Sequence, residues 1–330
     1  MKPARIPLSR KWDIAQRMLS ALRGPRVASL FITRQCNLRC PYCRAVNQSY
    51  LDADGETWRR IIDRLHGFGV RMFTITGGEP FLRDDMFDII GHITRDRRSV
   101  CWMISNGRLC TPALIDRCAD VGLQFLTVSL DSLDRRGVKS DGAVLELLMY
   151  ARRKGIICST LTVVTRENLD EIPVLLAEVT KRNIMFDMGL FQHVGGEFSP
   201  DDAALKPDDY AKLAGVMRIL RAYKRRTGLV SPSMGYLSEN LEHYRRLDWK
   251  CRGDRDGFLI VNNDGTLMAC QEWGGGPAVT DLASLRDPQW REYRRKAVSA
   301  CPGCYYGCYY QYENKRVTDL LFDVWCLVKA

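Results

Sequence analysis

Cys36, Cys40 and Cys43 stand at C-x3-C-x2-C spacing in FITRQCNLRCPYCRAVN, directly after the apolar run that begins at Val27. Thiolates ligate iron–sulfur clusters, and a [4Fe–4S] cube takes one ligand on each of its irons. Three local thiolates serve three irons and leave one iron with an open position. An open metal position is what a reacting site needs and a structural site avoids. The spacing differs from C-x2-C zinc ribbons and from the C-x2-C-x2-C-x3-C ferredoxin run. A zinc site or three unrelated thiols are the alternatives at this point.

A second thiol group lies in the last third of the chain: Cys251, Cys270, Cys301, Cys304, Cys308 and Cys326. Between Cys251 and Cys270, the run Asn263-Asp264-Gly265 is flanked by apolar alternation, which reads as a β-hairpin. A hairpin brings its flanking thiols together. Cys301-x2-Cys304-x3-Cys308, with Pro302, Gly303 and Gly307, adds a tight ligand turn. C-x2-C suits zinc as well as iron. Cys326 sits in the apolar stretch LLFDVWCLVKA, where packing explains it as readily as ligation. Cys101, Cys110, Cys118 and Cys158 fall in expected core elements and read as packing.

The elements that must position these groups alternate. Short β-branched or aromatic runs at 27–33, 71–76, 100–105, 125–129, 160–165 and 185–191 are separated by helical patterns at 56–69, 85–94, 112–122, 142–155 and 168–182. Thr111 before Pro112 marks a helix start, and Gly69, Gly122 and Gly155 mark helix ends. Six strand–helix units imply an α/β fold with a parallel sheet and right-handed crossovers, a partial (β/α)6 TIM-type barrel. In such barrels chemistry sits at the C-terminal ends of the strands, and the three cysteines follow the first strand. The barrel is expected to be followed by a small Cys-rich domain with a β-hairpin. The expected division is an N-terminal basic segment or helix at 1–25, the barrel at 26–200, a helical connector at 201–250 and the Cys-rich domain at 251–330.

Three more strand tips carry polar groups. Strand 2 ends in Gly77-Gly78-Glu79-Pro80, where glycines permit close backbone approach and a buried carboxylate can hold an ammonium group. Strand 3 ends in Ser105-Asn106 and strand 4 in Ser129-Leu130-Asp131, placed to bond ribose hydroxyls or a carboxylate; turn and cap chemistry is the plain alternative. Arg135, Arg136, Arg166 and His193 are weaker candidates for substrate or cofactor contact.

The cysteine motif, with the aromatic Tyr42 just before its last Cys, resembles the radical S-adenosylmethionine superfamily, and Gly77 to Pro80 resembles that family's GGEP motif. The resemblance implies a SAM-binding [4Fe–4S] cluster on Cys36, Cys40 and Cys43, whose free iron chelates S-adenosylmethionine. It also implies reductive cleavage to a 5′-deoxyadenosyl radical that abstracts hydrogen from a substrate. Catalytic roles fall to these cysteines. Cofactor binding falls to Tyr42, Gly77, Gly78, Glu79, Pro80, Ser105, Asn106, Ser129 and Asp131. The segment from Cys251 resembles the twitch/SPASM extension, although C-x2-C-x3-C departs from the usual C-x2-C-x5-C-x3-C. It implies one auxiliary Fe–S cluster, or two, on Cys251, Cys270, Cys301, Cys304 and Cys308, with Cys326 as a further candidate.

Composition bounds the rest. The net charge is +10 with pI near 9.0, which favours an anionic ligand, although Arg59, Arg60, Arg152, Arg153 and Lys154 also suit solvated helix faces. No apolar run reaches the 18 residues of a membrane span, and the basic N-terminus lacks a signal-peptide core. Thirteen cysteines in a long chain fit thiolate clusters in a reducing cytoplasm better than a disulfide scaffold. The expected function is a radical SAM enzyme acting on an anionic small molecule of natural-product or nucleotide-sugar type. The short segment before the first strand weighs for that against a ribosomal-peptide maturase. A zinc- or nucleic-acid-binding protein without SAM chemistry is the rival of another class. A flavodoxin or ferredoxin is the expected reductase, and neither membrane nor nucleic acid is an expected partner.

Overall fold

A computed structural model describes residues 8–20, 27–43, 51–133, 138–139, 141–191, 203–246, 249–251, 257–304 and 306–314. Six parallel strands alternate with helices: β1 (Val27–Thr33), α2 (Gly55–Gly67), β2 (Met72–Gly77), α3 (Met86–Gly91), β3 (Val100–Ser105), α4 (Pro112–Asp120), β4 (Phe125–Ser129), α5 (Ala143–Arg153), β5 (Ile157–Val164), α6 (Ile172–Lys181) and β6 (Met185–Leu190), preceded by α1 (Leu8–Ser20). Strand β5 starts three residues earlier than expected: Ile157, Cys158 and Ser159 already pair with β4 and are buried.

The helix starts follow local chemistry. Asp54 caps α2 by accepting from the Thr57 amide, and Thr111 caps α4 by accepting from Leu114 N, with Pro112 at the first helical position. Each helix buries one face on the sheet, as Trp58, Ile61, Ile62 and Leu65 do for α2.

The sheet is open, in the order β6-β5-β4-β3-β2-β1, and a further pair of strands continues it beyond β1. The expected hairpin forms from β7 (Phe258–Val261) and β8 (Leu267–Met268), with Val261 opposite Leu267. It does not stand apart: β7 pairs in parallel with β1, Val27 opposite Phe258 and Leu30 opposite Val261. Hairpin and barrel therefore share one backbone ladder. Helices α7 (Tyr210–Thr227) and α8 (Met234–Arg246) lead into it, and α9 (Pro288–Ala300) and α10 (Gly307–Asn314) follow.

Helix α1 covers the N-terminal end of the barrel. Ile14 packs on Val27, Met72, Val100, Phe125 and Ile157, which lie at the starts of β1 to β5. Arg17 Nη1 donates to Thr94 O at 3.2 Å from the same helix. With that end plugged, the opposite end is left for chemistry.

Candidate functional site

The tips of β1 and β2 are joined by backbone. Gly78 N donates to Thr33 O at 2.7 Å and Glu79 N to Gln35 O at 2.8 Å, so the turn after β2 is laced to the chain leading into Cys36. A Cβ on Gly78 would sit 1.9 Å from Gln35 O, and one on Gly77, at φ +124°, 2.4 Å from Thr33 O. The glycines are thus required by the packing of protein on protein. That is a different reason from the ligand approach expected for them.

The lacing fixes Glu79, whose side chain is fully buried. Its carboxylate accepts from Ser105 Oγ at 2.8 Å, from Asn106 N at 2.8 Å and from Phe81 N at 3.2 Å. Burial pushes its pKa up, against the lowering by these donors and by the charge of Lys139. Three neutral donors leave the negative charge itself unmatched, and a cation placed beside Glu79 would complete it. Asn106 also turns to the cysteine loop: its Nδ2 donates to Asn37 Oδ1 at 2.8 Å and lies 3.6 Å from Cys36 Sγ. Leu38 N points at the same sulfur from 3.4 Å.

The other side of the loop is held by β4. Tyr42 Oη donates to Asp131, whose Oδ1 also accepts from Val163 N at 2.9 Å. Burial raises the pKa of Tyr42, with the Asp131 charge adding to it, and raises that of Asp131 against the nearby Lys139. Lys139 stands 5.3 Å from the Tyr42 ring centroid. Sequence reading passed over Lys139, although a lysine in the loop after a barrel strand is a signal of placement at the reactive end.

Cys40 is buried and its thiol pKa is raised, first by burial and further by Cys43, Asp131 and Cys36, against Lys139. Cys40 thus lies within electrostatic reach of both other thiols. Among the described residues no three Cys, His, Asp or Glu side chains close around a single point as ligands of one ion do. Thiolates that each hold a different iron of a cube have no need to. Asn106, Ser129 and Lys139 open on a cleft of about 500 Å³ whose wall includes Cys110. Cys110 therefore departs from the packing role expected of it, whereas Cys101, Cys118 and Cys158 are core residues. Arg166 is turned elsewhere, paired with Asp209 at 3.5 Å. Arg135, Arg136 and His193 lie outside the described residues.

In the second group, Cys251, Cys270 and Cys304 are close enough for both neighbours to raise the Cys270 pKa, after the larger effect of burial. Cys304 N donates to Trp249 O at 3.0 Å, tying its loop to the residue two before Cys251. Cys301 follows directly on α9. Cys308 falls in α10, and Cys326 lies outside the described residues. In α9, Arg294 is buried over the Trp290 ring and Lys296 pairs with Glu292 at 2.7 Å. The positive charge of α9 is thus partly spent inside the protein.

The donor set fits an S-adenosylmethionine-binding cube: three thiols on one loop and, beside them, a buried carboxylate needing a cation. Residues 30–179 match the Radical SAM superfamily. The chain is 22% identical over 287 residues to the PqqA peptide cyclase of Granulibacter bethesdensis, covering 83% of this chain and 74% of that protein. It is 29% identical over 285 residues to the AdoMet-dependent heme synthase of Methanosarcina barkeri, covering 77% of this chain and 78% of that one. Among solved structures, Streptococcus suis SuiB bound to its precursor peptide SuiA superposes with a TM-score of 0.65 at 16% identity, over 90% of this chain and 75% of SuiB. Residues 30–179, with their cysteine loop at the C-terminal end of an open parallel barrel, thus form a radical SAM domain.

Proposed function

We propose that this radical SAM enzyme modifies a peptide. The supporting observation is that the likeness to a PqqA peptide cyclase runs over 83% of the chain, well past the barrel domain, and that the fold likeness to peptide-bound SuiB covers 90% of it. The small anionic substrate expected from charge is less well supported than this reading.

In this reading Cys36, Cys40 and Cys43 hold the cluster and Glu79 takes the amino group of S-adenosylmethionine by a charge-assisted hydrogen bond. The bound pair supplies reductive cleavage of the sulfonium and the hydrogen-abstracting radical. Ser105 and the Asn106 amide keep the Glu79 carboxylate aimed, since each fixes one of its oxygens. Tyr42 and Asp131 clamp the loop from the β4 side, so the thiols stay in register with Glu79. Asn106 Nδ2 and Leu38 N both point at Cys36 Sγ and hold it in place. Cys251, Cys270 and Cys304, with Cys301 as the fourth thiol, would hold one auxiliary cluster.

The test is anaerobic incubation of the reconstituted chain with dithionite, S-adenosylmethionine and a panel of peptides and anionic metabolites. A peptide that gains or loses mass in step with 5′-deoxyadenosine release is the expected result. A second reading, a small anionic molecule, draws on the net charge of +10 and on the AdoMet-dependent heme synthase relative. Turnover of a porphyrin or nucleotide sugar in the same panel, with every peptide inert, would overturn the peptide reading.

A further inference from the structure

Arg34 is buried two residues before Cys36, yet its side chain reaches across to the β7–β8 hairpin. Its Nε donates to Asn262 Oδ1 at 3.1 Å and to Asn263 Oδ1 at 3.4 Å, and Nη2 donates again to Asn262. The guanidinium lies 5.2 Å from the Phe31 ring centroid and 3.9 Å from Met268 Sδ, two residues before Cys270. Asp52 closes the arrangement: it accepts from Thr33 Oγ1 at 2.6 Å, from Arg34 N at 3.2 Å and from Asn263 Nδ2 at 2.8 Å. Ala53 N also donates to Asn263 O at 2.8 Å. The turn of the hairpin is therefore bolted to the base of the cysteine loop by side chains some 230 residues apart in sequence, of which Arg34 to Asn262 spans 228.

We infer that Arg34 is a positioning residue through which the C-terminal hairpin sets the cysteine loop. The inference rests on the radical SAM reading of Cys36, Cys40 and Cys43. One physical consequence separates it from ordinary packing. A guanidinium fork held by two carboxamides restrains the loop backbone, so loosening the hairpin turn must free the Leu38 and Cys43 amides.

The experiment compares the full chain with Arg34→Gln, Arg34→Lys and Asn262→Ala. Hydrogen exchange over residues 34–43 is read before reconstitution, and the EPR line shape of the reduced SAM-binding cluster after it, in a Cys304→Ala background. Asn262→Ala should speed exchange in that segment about tenfold and broaden the EPR signal. Arg34→Gln should do the same, and Arg34→Lys, retaining the charge without the fork, should also lose the protection. Should Arg34→Gln fail to fold, Asn262→Ala decides alone, since it frees Arg34 without deleting it. Exchange within twofold of the parent in Asn262→Ala, with an unchanged EPR line shape, would overturn the inference. A parent chain that forms no cluster and cleaves no S-adenosylmethionine would overturn the radical SAM reading instead.

Discussion

Gly78→Ala isolates the contact on which the site depends. The new methyl group would lie 1.9 Å from Gln35 O, 2.5 Å from Gln35 C and 3.1 Å from Arg34 C. All three are backbone atoms of the cysteine loop, so no side chain can swing aside. The loop must move by more than an ångström, at a cost of about 1–3 kcal/mol for overpacking of this kind, or more. Moving it also breaks Gly78 N to Thr33 O and Glu79 N to Gln35 O, buried bonds worth about 1 kcal/mol each. We expect a loss of about 3–5 kcal/mol in urea unfolding of the anaerobic apoprotein. Where folded protein is recovered, the cluster should load poorly because Glu79 and Cys36 no longer share one frame. Gly91→Ala is the control: the site has open space and helical backbone, and alanine there should be neutral or stabilising by about 0.5–1 kcal/mol. If Gly78→Ala unfolds within 1 kcal/mol of the parent and loads normally, the claim that these glycines serve the loop rather than the ligand is wrong.

Further expectations follow from the same geometry. Cys40→Ala removes one of three thiolates and should abolish 5′-deoxyadenosine formation, whereas Cys304→Ala should retain part of it; wild-type cleavage in Cys40→Ala would displace the cluster from this loop. Iron analysis of the reconstituted parent should give about eight irons per chain, and about four would remove the auxiliary cluster. The raised pKa of Glu79 means that it takes up a proton at higher pH than an ordinary glutamate, and only the carboxylate holds an ammonium group. Affinity for S-adenosylmethionine should therefore weaken as pH falls through that raised value, and calorimetry of Glu79→Gln should show weak binding without this acid limb. Thr111→Ala should cost about 0.5–2 kcal/mol through the lost cap of α4 while leaving S-adenosylmethionine cleavage unchanged; a parallel loss of cleavage would contradict its purely local role.

Much of the site was legible in the chain because its groups lie on consecutive strand tips. Periodicity places β1 to β4 and barrel geometry puts their C-terminal ends together, so Cys36, Glu79, Asn106 and Asp131 are brought to one end by their order, while their roles came from the resemblance to the radical SAM superfamily. The hairpin was equally local, since Asn263-Asp264-Gly265 specifies its own turn. Local patterns carry no information about which strand lies beside which at long range. That β7 pairs with β1, and that Cys110 lines a cleft instead of the core, follow only from the assembled sheet. Charge was the least legible property. Arg34 and Arg294 count equally in a net charge of +10, yet one is buried at the cysteine loop and the other is stacked on Trp290. A guanidinium's role depends on its burial and its acceptors, and for Arg34 the acceptor Asn262 stands 228 positions away, which is why tertiary structure alone decided it.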